Sequence, residues 1–331
     1  MSSFDHWHPV LKSRELKNKP KQVTLNGKQI VLFRDKEGLA SALEDTCPHR
    51  RMPLSLGSVK DGRITCIYHG MSFDRSGKGE SPGTDDCKIS AVQFDCMEFY
   101  GAVWIKSASS SAPFPYFNTE GFRLIDICHY SIEAPLELVL DNFTEVEHTP
   151  DVHVFLGYDP KRMKEVVVLS ETEDFYVRIK NTGPQKTLPI LFRYILGLEK
   201  EDLFVDDWTT HFSPVYSVYD QYWIDSKTNQ ARETRFRIYV FFNPISENRV
   251  QLMAFTYMQY PLLAHFGLNI LIKPSIKQIV NLEILRDKKT LEKIQDKNTS
   301  IAGMKLTRFD RSLGPNRKRI ERIYKGINPA P

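Results

Sequence analysis

The sequence predicts an α+β protein in two parts, a small all-β domain followed by a larger domain in which a curved antiparallel sheet is accompanied by helices. Three observations predict it. The first hundred residues are short apolar runs punctuated by tight-turn pairs, Asn26-Gly27 foremost. Beyond residue 165 apolar residues alternate with polar ones over long segments, the pattern of strands with one buried face. Two stretches, 136–143 and 276–294, instead carry apolar residues at helical spacing.

The β signal begins at Gln22. Asn26-Gly27 lies between Val-Thr-Leu and Gln-Ile-Val-Leu-Phe, and both central positions of such a hairpin turn need positive φ. Further turns follow at 35–38, 61–62 and 75–77, and the strand 101–105 closes the unit. Two loops inside it, Cys47-Pro-His49-Arg50 and Cys66-Ile-Tyr-His69-Gly70, stand sixteen residues apart. They supply two thiolates and two imidazoles. Zinc uses such a set as a closed tetrahedral site. A [2Fe-2S] cluster uses it differently, with two thiolates on one iron and two neutral imidazoles on the other. Zinc fingers usually take one loop from a helix, whereas both loops here punctuate strands, which favours the cluster. Cys87, Cys96 and Cys128 are assigned no chemistry, since free cysteine packs as a small hydrophobe.

Residues 106–117 are rich in Ser and Pro, which places a boundary there, with domains 1–115 and 116–331. Next comes a helix whose stripe is Leu136, Val139, Leu140 and Phe143 and whose opposite face gathers Asp141, Glu145 and His148. Pro150 is expected to stop it, and Thr149, Pro150 and Asp151 suit the start of another. On one continuous helix His148 and His153 would point roughly 140° apart. With a break between them they can converge. Alternation then predicts strands over 165–180, 215–224, 235–242 and 249–257, and Pro274-Ser275 opens a helix to about Gln295. That helix's stripe runs Ile276, Val280, Ile284, Leu291 and Ile294, and the residue completing the spacing is Asp287. A carboxylate in a buried stripe is costly unless a cation or hydrogen bonds meet it, so Asp287 is a candidate metal ligand with Glu283 the second choice. Tyr216, Tyr219, Trp223, Phe241, Phe255 and Tyr257 are candidates for a pocket wall, though aromatic stripes on strands are more often core.

Composition narrows the classes. A formal charge of +4 over 331 residues excludes a strongly basic nucleic-acid binder as the default, although the last 25 residues are locally basic. Met1–Asp5 is polar with no apolar run after it, so no signal peptide is expected. The apolar stretch 260–272 is interrupted by Pro261 and His265 and is too short to span a bilayer. Core packing is its expected role, with an apolar lid or a membrane-surface contact the alternatives. Five cysteines argue against a disulfide framework and for a reducing, cytoplasmic setting.

The spacing of Cys47, His49, Cys66 and His69 resembles the Rieske domain. Two histidines and one carboxylate with open positions are the set used by non-haem Fe(II) oxygenases, and His148, His153 and Asp287 fit it. Over essentially its whole length the sequence resembles the catalytic α subunit of a Rieske non-haem iron oxygenase, in the group of vanillate O-demethylase and dicamba monooxygenase. Departures are Arg51 where Gly is usual, and Ile67 and Met71 where Pro and Trp are usual. The resemblance implies a helix-grip catalytic domain, a mononuclear Fe(II), O2 and a small organic substrate. It also implies electrons from NAD(P)H through a separate flavin reductase or a ferredoxin, and a homotrimer. Arg50 and Arg51 are candidates for steering an acidic partner. Within the family the residue at Glu145 is usually Asp and bridges a site histidine to a cluster histidine of the next subunit, which here would be His69, with Asp141 the alternative acid. The contrasting expectation is an electron carrier or a non-catalytic binding protein on the same fold.

Overall fold

The computed structural model describes residues 3–260 and 269–327. The chain divides into two compact units, Met1–Pro115 with Asn243–Ser246, and Tyr116–Phe242 with Glu247–Pro331.

In the first unit, β1 (His8–Lys12), β2 (Lys21–Leu25), β3 (Lys28–Arg34) and β4 (Ala40–Glu44) are followed by the short β5 (Ser58–Lys60), β6 (Arg63–Thr65), β7 (Ser72–Phe73) and β8 (Gly79–Glu80), then by β9 (Gln93–Phe99) and β10 (Ala102–Ser107). Asn26 at φ 46° and Gly27 at φ 76° close the β2–β3 hairpin, as a two-residue turn of this hand requires. One sheet runs β1-β10-β9-β4-β3-β2 and the other β5-β6-β7-β8. Strand β3 feeds two cores at its period of two: Ile30 and Leu32 pack with Val10, Leu25 and Val103, while Val31 and Phe33 pack with Leu54, Ile64, Phe73, Cys47 and Cys66.

The second unit is a seven-stranded antiparallel sheet of β11 (Arg123–Ile132), β12 (Val167–Thr172), β13 (Tyr176–Pro184), β14 (Leu203–Phe212), β15 (Val215–Ile224), β16 (Ala231–Ser246, whose last residues belong to the first unit) and β17 (Arg249–Gln259). Its order is β11-β17-β16-β15-β14-β13-β12. The helices are α1 (Leu136–Phe143), α2 (Thr149–Val152), α3 (Ile190–Leu196), α4 (Asn269–Glu292) and α5 (Leu313–Arg319). Ile276, Val280, Ile284 and Leu291 of α4 enter one core with Trp208, Tyr219 and Val240 of the sheet. Asp287 lies on that same stripe, 4% exposed.

Several boundaries differ from the sequence reading. Helix α1 ends at Phe143, well before Pro150: Thr144 leaves helical geometry at φ −125°, ψ 29°, its N–H bonding the Asp141 carbonyl and its buried hydroxyl the Leu140 carbonyl. The segment 165–180 is a hairpin of β12 and β13 rather than one strand. Helix α4 starts ahead of Pro274, which sits inside it at the loss of one backbone donor, and its buried stripe stops at Leu291, leaving Ile294 39% exposed beyond the helix. The expectation for residues 261–268 lies outside the described residues. Among the described residues no helix is long and apolar enough to cross a membrane.

Candidate metal centres and their cavity

The two Cys/His loops of the first unit share one backbone frame. Cys47 N–H donates to Met52 O at 2.8 Å and Cys66 N–H to Met71 O at 2.8 Å. Four residues beyond each cysteine an N–H returns to its carbonyl, from Arg51 at 2.8 Å and from Gly70 at 3.2 Å. Both returning residues are left-handed, Gly70 at φ 70° and Arg51 at φ 60°. Glycine takes this conformation freely, whereas arginine is strained in it. The frames bury the two sulfurs, 1% and 2% exposed, and leave His49 and His69 at or near the surface with ring centroids 4.5 Å apart. Burial, with the adjoining Cys66 thiol, raises the Cys47 pKa, while backbone N–H groups of His49 and Arg50 act to lower it. Inward sulfurs, amides aimed at one of them and outward imidazoles suit a cluster wedged between the loops.

In the second unit the break after α1 brings His148, His153 and Asp287 together, with one ligand atom of each within 4.8 Å of the others. Asp287 Oδ1 lies 3.0 Å from His153 Nε2 and 3.3 Å from His148 Nε2. The latter contact lacks hydrogen-bond geometry, so buried His148 Nε2 has no hydrogen-bond partner. His148 turns its other nitrogen, Nδ1, onto Glu145 Oε1, and Glu145 Oε2 accepts the Glu147 N–H. Burial works to lower the His148 pKa, yet the Asp287 and Glu145 carboxylates raise it to about 10; Asp287 itself is held well below the carboxylate range, against burial, by the two imidazoles. Two acids around two converging imidazoles demand a positive charge, which a divalent cation fits as a proton does.

The loop carrying His153 is clamped by opposite charges. Lys186 Nζ donates to the carbonyls of Pro150 at 2.7 Å and His153 at 2.6 Å. Glu283 accepts the N–H groups of Val154, Phe155 and Leu156 at 2.7–3.3 Å. Gly157, at φ 119°, lets the loop fold back where any Cβ would meet the Thr149 side chain at 2.5 Å. Glu283 is thus spent on the loop backbone. Asp141 is likewise engaged, by Arg317 at 2.8 Å; burial still pushes its carboxyl up to about 6.

A cavity of about 100 Å³ opens over the triad. Its wall on α4 is Val280, Glu283, Ile284 and Asp287; its floor is the alternating inward residues of three adjacent strands, Asp206 and Trp208, Tyr219 and Gln221, Ile238 and Val240. Of the six aromatic candidates, Tyr219 lines it, while Trp223, Phe241, Phe255 and Tyr257 are buried and Tyr216 stacks on Phe241 at 4.7 Å. Asp206, Trp208, Gln221 and Lys186 escaped the sequence reading. The signal for Asp206 was present: in Phe204-Val-Asp206-Asp-Trp208 it shares its strand face with two large aromatics, as Asp287 shares its helix face with Ile284. Burial pushes the Asp206 carboxyl up to about 6, against a hydrogen bond from Gln221.

Residues 6–91 match the Rieske [2Fe-2S] domain. Chlorophyllide a oxygenase of Oryza sativa subsp. japonica is 36% identical over 157 residues, which are 44% of this chain and 28% of that protein. The vanillate O-demethylase oxygenase subunit of a Pseudomonas species is 29% identical over 218 residues, 61% of this chain and 60% of that protein. The chain therefore spans less than two thirds of either relative. Dicamba monooxygenase bound to 3,6-dichlorosalicylic acid superposes with a TM-score of 0.83 over 97% of both chains, at 18% identity. By sequence and fold together, the chain carries a Rieske [2Fe-2S] domain and has the fold of dicamba monooxygenase, and it resembles the vanillate O-demethylase and dicamba monooxygenase group.

Proposed function

We propose that the chain is the oxygenase component of a Rieske non-haem iron system, using O2 and electrons relayed from NAD(P)H through a separate flavin reductase or ferredoxin to hydroxylate or oxidatively demethylate a small organic substrate. The convergence of His148, His153 and Asp287 in the lining of a cavity, in a chain that also holds a Rieske domain, carries this reading. Cys47, His49, Cys66 and His69 would hold the cluster and the triad a mononuclear Fe(II). When bound, the cluster supplies single electrons and the iron an open-sided centre for oxidation by O2.

The surrounding residues set up that site. Glu145 holds the His148 Nδ1 proton, which fixes the tautomer and leaves Nε2 directed at Asp287. Lys186 orients His153 through its carbonyl, and Glu283 does so through the N–H groups of the three residues that follow it. The apolar part of the cavity wall excludes water from the reacting region. A carboxylate oxygen accepts more than one hydrogen bond. On this reading Glu145 would also accept from His69 of an adjacent copy, with a homotrimer as the proposed assembly; the hold of Arg317 on Asp141 favours Glu145 over Asp141 for this role.

Iron counting separates the oxygenase from the electron carrier: about three irons per chain against two. Asp287→Ala should lose roughly one iron and all turnover with a surrogate reductase, measured as substrate-dependent NADH and O2 consumption, while keeping the cluster spectrum. A variant that keeps all its iron and its activity would overturn the reading. Glu145→Gln should leave both centres filled and slow transfer between them in single-turnover experiments; transfer at the wild-type rate removes the bridge.

A further inference from the structure

The cavity floor holds more hydrogen-bonding capacity than the protein uses. Asp206 is 7% exposed and has one side-chain partner, Gln221 Nε2 at 3.1 Å. Its charged neighbours are His153, His148 and Asp207, and no lysine or arginine is paired with it among the described residues. Gln221 Oε1, freed by that bond, has no partner, and neither does the indole Nε1 of Trp208, which is 1% exposed. Strand register places the three together. Asp206 pairs with Gln221 across β14 and β15, and Trp208 follows Asp206 on the same face. A buried carboxylate with one bond, an amide oxygen with none and an indole N–H with none are each unfavourable where nothing answers them. Elsewhere in this unit buried acids are answered: Asp202 by Arg232, Asp207 by Arg178 and Glu283 by the loop amides.

We propose that Asp206, Gln221 and Trp208 form the specificity-determining end of the cavity, and that they select an uncharged or cationic ring bearing an N–H or O–H donor beside an acceptor, and reject aromatic carboxylates. This rests on the triad's cavity being the substrate site. Asp206 and Gln221 Oε1 present two acceptors side by side, which match a donor such as an amide or amine nitrogen. Trp208 Nε1 supplies the complementary donor for a neighbouring carbonyl. An anionic substrate would face the Asp206 carboxylate with no lysine or arginine paired to it among the described residues, a repulsive element of the kind that specific sites use alongside attraction. A site built to bond a polar group typically rejects an analogue lacking it by far more than a site that merely fits shape.

The test uses two probes of one shape, 4-methoxybenzamide and 4-methoxybenzoate, titrated calorimetrically into the iron-loaded protein, with iron counted in every sample. The wild type should bind the amide at least tenfold more tightly than the carboxylate. Asp206→Asn should cut that ratio about tenfold, and Gln221→Leu should weaken the amide about fivefold with iron content unchanged. The second variant keeps the test alive should the first fold poorly. Equal or tighter binding of the carboxylate by the wild type would overturn the proposal, as would an unchanged ratio in Asp206→Asn or no binding of either probe with about three irons in place. A protein that shows the preference yet never carries iron at the triad would instead overturn the reading of the metal site.

Discussion

Replacing Glu283 separates a ligand from a residue that holds a ligand in place. Glu283→Ala strands three N–H groups, of Val154, Phe155 and Leu156, beneath a side chain that is 4% exposed. Each buried donor left unmade costs about 1–3 kcal/mol, and water entering the vacated space recovers part of it, so a loss of about 3–4 kcal/mol is expected. Glu283→Gln is milder, because Oε1 still accepts from Phe155 at 2.7 Å while the new amide N–H meets the Val154 N–H, and about 1–2 kcal/mol is expected. Partners that orient a metal ligand typically carry about 10–100-fold in affinity. The Ala variant should thus bind iron at the triad that much more weakly, and the Gln variant should retain it when iron is in excess. Denaturant titration gives the stabilities, and iron analysis after dialysis against a graded chelator series gives the affinities. If Glu283→Gln lost its site iron as completely as Asp287→Ala, Glu283 would be a ligand and the clamp reasoning would fail.

Three further outcomes follow from the same geometry. Arg51 is exposed at φ 60° where its counterpart Gly70 is left-handed without strain, so Arg51→Gly should stabilise the first unit by about 0.5–1 kcal/mol, the conformational relief less the entropy of glycine; a midpoint, followed by cluster absorbance, that falls would contradict it. Burial raises the Asp206 carboxyl to about 6 from 3.8, so the metal-free native state holds its proton longer than the unfolded chain and stability is lost as pH rises from about 4 to 6; Asp206→Asn should gain about 2–3 kcal/mol above pH 6 and nothing below pH 4, and a pH-independent difference would refute the cause. Arg317 binds Asp141 together with the carbonyls of Glu137 and Thr299, and side chains about 15% exposed are only partly screened; Arg317→Ala should cost about 2–4 kcal/mol in denaturant titration while leaving iron content unchanged, whereas loss of site iron would return Asp141 to the metal centre.

What could be read from the sequence was whatever broke a local rule. Cys47-x-His49 and Cys66-x-x-His69 stood out because thiols and imidazoles at fixed spacing in strand-connecting loops have few structural uses, and Asp287 because it interrupted a greasy helical stripe. Asp206 obeyed the same logic on β14, but that strand went unassigned. That Asp206 points inward and Asp207 outward to Arg178 emerges only once the period of two is fixed by pairing with β13 and β15. Lys186 was out of reach for a different reason. Its role is to hold carbonyls of residues 149–153, a contact across more than thirty positions that leaves no trace in spacing or composition. The early end of α1 was hidden likewise, since Pro150 offered an obvious stop and the buried Thr144 did not.

The clamp around residues 149–156 also sets how the triad is moored. Glu283 and Asp287 are one turn apart on α4, and Arg286 between them reaches the Val152 carbonyl at 3.0 Å. The helix therefore grips the backbone around His153 with two tie-rods and meets the His153 ring with the third, while Lys186, outside that helix, anchors the same loop. His148 is moored twice, by Glu145 to the turn after α1 and by its own carbonyl, which accepts the Asp151 and Val152 N–H groups, to that loop. Both imidazoles thus hang on one short stretch of backbone, so a substitution that slackens that stretch is felt at both.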